Sequence, residues 1–203
     1  MLLKNVKSSL DKITKSLEQS HQAREYLIKN TRDIVILCSQ SIIAVHKEDL
    51  KSAKKNMLKA KKLLAKYKKS ANGDLARYLV MPEQEIVEAM SLISIVEGKP
   101  IPSVESIGVS DESYILGLLD CIGELKRLIY DKIRMGKTSE SVHFFEVMEN
   151  LYLILYPFAT YDKIVKETRK KLDVNRILVE ETRSALTEEI RRAKLIDAIN
   201  KIK

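Results

Sequence analysis

The stretch Tyr114-Ile-Leu-Gly-Leu-Leu-Asp120-Cys-Ile-Gly-Glu124-Leu-Lys-Arg127-Leu-Ile-Tyr130 decides the fold. It is apolar nearly all round through residue 125, so it reads as a helix enclosed by other helices. Ser110 or Asp111 caps it and Gly136 closes it, which predicts a helix over about 111–135. Two features break the apolar pattern. Asp120 and Glu124 sit at i, i+4 and share one face. Gly117 and Gly123 each carry a helix-propensity cost of about 1 kcal/mol, which is tolerated where another helix or a ligand approaches closely.

The rest of the chain is helical too. Residues 2–46 hold a heptad-like seam of Leu3, Val6, Leu10, Ile13 and Leu17, then Leu27, Ile34 and Cys38, with no Gly or Pro. A helix of that length would span about 65 Å, which implies an elongated bundle or an assembly interface. The seam turns polar at Ser20, Arg24 and Thr31, where a break or a buried polar layer is expected. A second helix over 47–70 has an apolar stripe of Leu50, Ala53, Met57, Ala60, Leu64 and Tyr67. After a turn at 70–74, a third helix runs to about Val96 with a kink or break at Pro82. Residues 98–110 form a loop. A fifth helix opens at Ser139 or Ser141 and ends before Pro157, a sixth covers about 161–170, and a seventh runs from Asp173 to the C-terminus. No stretch reads as a strand. The expectation is an all-α, seven-helix elongated bundle, one domain over 1–203.

Composition agrees. Six glycines and four prolines in 203 residues are too few for a sandwich or barrel, and 45% hydrophobic residues are too many for a disordered chain. Cys38 and Cys121 lie in apolar stretches and read as reduced core residues rather than a disulfide framework or zinc knuckle. No signal-peptide pattern and no long uncharged apolar window is present, so the reading is cytoplasmic with no membrane span.

The net charge of +8 is localised. Residues 47–70 hold ten lysines against Glu48 and Asp49, and the remaining residues balance at 26 basic and 26 acidic. Lys51, Lys54, Lys55, Lys59, Lys61, Lys62 and Lys66, with Arg77 and Arg127, are candidate contacts to a nucleic-acid backbone or another polyanion. The alternative is a solvated lysine face.

The candidate chemistry is carboxylate chemistry. Glu85 and Glu88 sit at i, i+3 on the third helix. If that helix packs beside the fourth, they converge with Asp120 and Glu124. Four oxygen donors of this kind suit Mg²⁺ or Mn²⁺, which can activate water and stabilise phosphoryl charge. The alternative is pairing of Asp120 or Glu124 with Arg127 or a lysine from a neighbouring helix. Glu18-x-x-His21 and Glu140-x-x-His143 match a di-iron bundle pattern, but on the wrong helices. The three histidines (His21, His46, His143) read as surface or interhelix residues.

The acidic segments carry a family resemblance. Tyr114 to Arg127 resembles the Leu-Gly-x-x-Asp-x-x-Gly-Glu-Leu-x-Arg segment of the translin and translin-associated factor X (TRAX) family. Glu85-Ile-Val-Glu88-Ala89 is similar to the Glu-Tyr-Val-Glu-Ala motif of TRAX, with Ile86 at the aromatic position. Lys171-Leu-Asp-Val-Asn-Arg176 resembles the family's last helix. The resemblance implies a hollow octameric shell of seven-helix protomers with RNA inside, and an archaeal TRAX-like chain assembling with itself. It implies that Glu85, Glu88, Asp120 and Glu124 hold Mg²⁺ or Mn²⁺ and catalyse endonucleolytic cleavage of single-stranded or loosely paired RNA. A translin-like, non-catalytic oligomer binding single-stranded RNA or DNA is the second expectation. A helical scaffold with merely solvated lysines is the third.

Overall fold

A computed structural model describes residues 3–202. Among them there are seven α-helices and no strand: α1 (Lys4–His46), α2 (Leu50–Lys68), α3 (Val80–Val96), the one-turn α4 (Val104–Ile107), α5 (Asp111–Arg134), α6 (Thr138–Leu155) and α7 (Thr168–Asn200). Two 3₁₀ segments, Gly73–Leu79 and Tyr156–Tyr161, join them.

The α1–α2 hairpin turns at Lys47–Asp49. Asp49 accepts the Ser52 N–H at 3.0 Å and so caps α2. The alanines of α2 let the two helices approach closely enough that buried Ser41 Oγ donates to the Ala53 carbonyl at 2.9 Å. α3 packs on α1 and α5, and α5 in turn touches α6 and α7. The core runs through this order, from Leu27, Ile34 and Cys38 of α1, through Ile86, Val87 and Leu92 of α3 and Leu119, Ile122, Leu125 and Ile129 of α5. It ends on Met148 of α6 and Leu172 and Val179 of α7. The decisive stretch is therefore an interior helix, as its composition requires.

Three expectations need correction. The separate helix expected over 161–170 does not form. Glu167 takes a left-handed φ of 72°, and the Asp162 carboxylate accepts the Arg169 N–H at 2.9 Å, so α7 starts at Thr168 rather than at Asp173. Pro82 neither kinks nor breaks α3. It falls in the first turn, where no intrahelical partner awaits its missing N–H; the break comes earlier, at the 3₁₀-to-α junction. The loop 98–110 contains α4, capped by Ser103.

The α1 seam divides in two. Leu27, Thr31, Ile34, Cys38 and Val45 are buried, whereas Leu3, Val6, Leu10, Ile13 and Leu17 are exposed. The first half of α1 therefore projects as a stem with its apolar stripe uncovered. The far end of α7 is similarly bare at Leu195, Ile196 and Ile199. No helix among the described residues is long and apolar enough to cross a membrane.

Candidate carboxylate site and lysine face

Close contact between α3 and α5 builds the site. A Cβ at Gly117 would lie 2.5 Å from the Gln84 carbonyl and 2.6 Å from Val87 Cβ, so only glycine permits this approach. Gly123 differs, because nothing lies within 4 Å of its missing Cβ. It borders a cleft of about 300 Å³ lined by Asp120, Lys170, Lys171 and Asn175 among others. Asn175 Nδ2 donates to the Leu119 carbonyl at 2.9 Å and ties α7 to α5 at this point.

The four carboxylates lie within one another's fields. Glu88 is half-buried, and its carboxyl is pushed up to about 8. Burial is the largest cause, followed by the charges of Glu85, Asp120 and Glu124, with Lys171 opposing. Glu85 is raised by burial and then by Asp120. Buried Cys38 and Cys121 border the same cluster. Their thiols are pushed upward by burial and by the nearby carboxylates, so they remain unreactive.

Neighbouring helices supply partners. Lys171 of α7 and the Gln84 side-chain amide both donate to Asp120. His46 Nε2 lies 2.6 Å from Glu124 Oε2, and Arg127 Nη1 lies 3.7 Å from the same oxygen. The pairing expected as the alternative to a metal is thus realised for both α5 carboxylates. Among the described residues, no three His, Cys, Asp or Glu side chains are gathered as ligands of one ion. The chemistry of the set still fits a hard divalent cation. All four donors are carboxylate oxygens, their charge exceeds that of Lys171 and Arg127, and Glu88 holds a proton where a cation would otherwise balance it.

Gln84, Lys171 and His46 are the partners that sequence reasoning missed. Gln84 directly precedes the quoted acidic motif and Lys171 opens the last-helix motif, but neither position carries a signal for its role. His46 is an interhelix residue, one of the two expected settings for the histidines, but nothing in the sequence named Glu124 as its partner. His21 and His143 are exposed, and Glu140 pairs with Lys132 at 2.7 Å, so neither Glu-x-x-His motif faces the interior.

The lysine face of α2 is as expected. Ala53, Met57, Ala60, Leu64 and Tyr67 are buried, and Lys51, Lys54, Lys55, Lys59, Lys62 and Lys66 are exposed, with Lys61 half-buried. Lys54 is tied to Glu97. Among the described residues Lys51, Lys55, Lys59, Lys61, Lys62 and Lys66 make no ion pair, so their charge is uncompensated. Arg77 and Arg24 both donate to the Tyr78 hydroxyl, at 3.3 and 2.9 Å. A larger cleft of about 700 Å³ lies at Lys68, Arg77 and Glu83, away from the four carboxylates. Glu83 is structural: it is buried, and it accepts the Ser110 N–H at 2.8 Å and Lys68 at 2.7 Å.

Comparison with known proteins gives a consistent picture. The family model described as Translin family matches residues 74–182, which include all four carboxylates. An uncharacterised protein of Methanocaldococcus jannaschii is 34% identical over 194 residues, covering 92% of this chain and 85% of that protein. A structure of AfC3PO in complex with duplex RNA superposes with a TM-score of 0.84 at 30% identity, covering 92% of this chain and 98% of that one. AfC3PO alone gives 0.82 at 31%, covering 92% and 99%. Apo-NeC3PO, at 20% identity and a TM-score of 0.75, covers 89% of this chain and 96% of its own, and shares the fold.

Proposed function

Because the chain belongs to the Translin family, we propose that it is a metal-dependent endoribonuclease that assembles with itself, as an octameric shell by the resemblance, and cleaves RNA. The observation that carries this reading is the crowding of half-buried Glu88 by Glu85, Asp120 and Glu124 at the α3–α5 contact. Structural carboxylates are ordinarily paired one to one. Here negative charge accumulates beside an open cleft, which is costly unless a cation and a phosphate are to meet there.

Glu85, Glu88, Asp120 and Glu124 would hold Mg²⁺ or Mn²⁺. When bound, such an ion lowers the pKa of a coordinated water and offsets charge on phosphoryl oxygens. The protein's own part is positional. Gln84 and Lys171 fix the Asp120 carboxylate, and Lys170 and Lys171 give the adjoining cleft a positive wall that attracts a phosphate. Glu88 carries its proton in the ion-free chain, and a cation held there would compete with that proton. The unpaired α2 lysines, with Arg77 and Arg127, hold the RNA backbone without reading sequence.

AfC3PO holds duplex RNA, and the similarity spans nearly the whole of both chains. Paired RNA therefore joins single-stranded and loosely paired RNA as a candidate ligand. The exposed stripe of the α1 stem supports self-assembly, since five large apolar residues in register seldom face water in a finished assembly.

A second reading, a non-catalytic RNA-binding oligomer, is favoured by one observation: Lys171 already neutralises Asp120. Labelled RNA incubated with Mg²⁺, Mn²⁺ or a chelator separates the two. The nuclease predicts metal-dependent product that Asp120→Asn abolishes while RNA binding persists. Binding without product supports the second reading, and unimpaired cleavage by Asp120→Asn refutes the site.

A further inference from the structure

His46 is the last residue of α1, and its side chain is only 5% exposed. Its imidazole lies between two carboxylates of α5. Nε2 is 2.6 Å from Glu124 Oε2, and Nδ1 is 3.5 Å from Asp131 Oδ2. Glu124 and Asp131 are seven residues apart, two helical turns, so they present one face to the ring. Nδ1 is buried and has no hydrogen-bond partner, which a purely structural core position would avoid by carrying an apolar side chain. Asp131 is itself held by Arg134 Nη2 at 2.9 Å.

The backbone that carries His46 is fixed as well. Two residues on, Glu48 takes a left-handed φ of 61°, a conformation few non-glycine residues adopt. Its carboxylate is clamped by Lys132 at 2.9 Å and Lys137 at 3.2 Å, and Lys132 also binds Glu140 at 2.7 Å. The end of α1 is thus tied to the α5–α6 corner, which sets the His46 backbone beside Glu124.

We propose that His46 is a positioning residue for Glu124, orienting its carboxylate for cation binding through the Nε2–H···Oε2 hydrogen bond. The inference rests on the ribonuclease reading and extends it to a residue 78 positions away in sequence. A carboxylate serving as a cation ligand only accepts hydrogen bonds, so this role requires the hydrogen on Nε2. That bond takes one of about four lone-pair sites and fixes the carboxylate's rotation, leaving the others free. Partners of this kind typically govern about 10- to 100-fold in metal affinity.

The test compares the full chain with His46→Gln, which keeps an N–H donor, and His46→Met, which has similar bulk and none. His46→Ala is the third variant. Mn²⁺ affinity is read by electron paramagnetic resonance of the free ion, RNA affinity by filter retention, and kcat and KM from cleavage. The expected result is a loss of about 10-fold or more in Mn²⁺ affinity for Met and Ala. A fall in kcat at unchanged KM and RNA affinity should accompany it, with Gln restoring most of both. Gln and Met decide the matter even if Ala fails to fold. Equal Mn²⁺ affinity in Met and the natural chain overturns the inference alone, as does equal loss in Gln and Met. No Mn²⁺ binding by the natural chain overturns the ribonuclease reading and this inference with it.

Discussion

The two glycines of α5 offer a sharp test of how the site is built. A methyl group at 117 would sit 2.6 Å from Val87 Cβ and 2.5 Å from the Gln84 carbonyl oxygen. Carbon pairs settle at about 3.5–4.0 Å, so α3 and α5 must part locally by roughly 1 Å. Neither obstacle is the far end of a flexible side chain. Such overpacking costs about 1–3 kcal/mol, against a gain of about 1 kcal/mol from removing a helical glycine. Gly117→Ala should therefore be neutral at best and destabilised by up to about 2 kcal/mol. Gly123→Ala meets nothing and should gain about 1 kcal/mol from propensity alone. Identical chemistry on one helix thus gives opposite signs. Urea unfolding midpoints at one protein concentration measure the difference, with the m-value checking that the unfolding transition is otherwise unchanged. Gln84 and Val87 flank Glu85 and Glu88, so Gly117→Ala should also lower cleavage. Equal stabilisation of both variants would refute the close-approach argument.

Glu88 predicts a pH effect on stability. Its carboxyl titrates at about 8 in the folded chain against 4.5 ordinarily, so the folded state holds the extra proton between those values. Stability should then fall as pH rises from about 4.5 towards 8 and level off above, and Glu88→Gln should flatten that slope in thermal melts. An unchanged slope would mean that Glu88 ionises normally. Replacing Lys55, Lys59, Lys62 and Lys66 with Gln should weaken RNA binding and reduce the salt slope by about 0.7–0.9 for each phosphate no longer neutralised. Four such changes elsewhere should not, and equal effects would disperse the proposed surface. Leu10→Lys with Leu17→Lys should dissociate the assembly in light scattering while leaving the helical signal of the protomer intact. An unaltered mass would show that the stem is not an interface.

Sequence periodicity made some of this architecture legible and hid the rest. The interior position of α5 followed from an apolar circumference, which has no other stable environment. The α1 seam was equally visible, yet its period says only which residues share a stripe. Leu27 and Ile34 find partners within the chain, and Leu3 and Leu10 do not, because the bundle is shorter than the helix. Gly117 and Gly123 read alike, although only one marks a helix contact. The helix expected over 161–170 failed on Glu167, whose left-handed turn no propensity scale foresees. The four carboxylates were legible from local spacing. A lysine partner from a neighbouring helix was foreseen, but that it is Lys171, and that Gln84 and His46 join it, depends on distant elements meeting.

Those partners explain how an acidic cluster survives folding without an ion. Lys171 offsets Asp120, Arg127 approaches Glu124, and Glu88 keeps a proton. Each arrangement is reversible, since a proton can leave and a lysine beside an open cleft can transfer its hydrogen bond to a phosphate. On the proposed reading the same cluster would oppose RNA, whose phosphates would be drawn to the α2 lysines but repelled by the unbalanced carboxylates. Monovalent salt weakens the attraction and the repulsion together. A divalent cation bound at the carboxylates would remove the repulsion selectively. RNA affinity at fixed ionic strength should therefore rise with Mn²⁺ in the natural chain and rise less in Asp120→Asn. If Mn²⁺ weakens binding equally in both, as simple competition at the lysines would, the carboxylates and the RNA do not share a site.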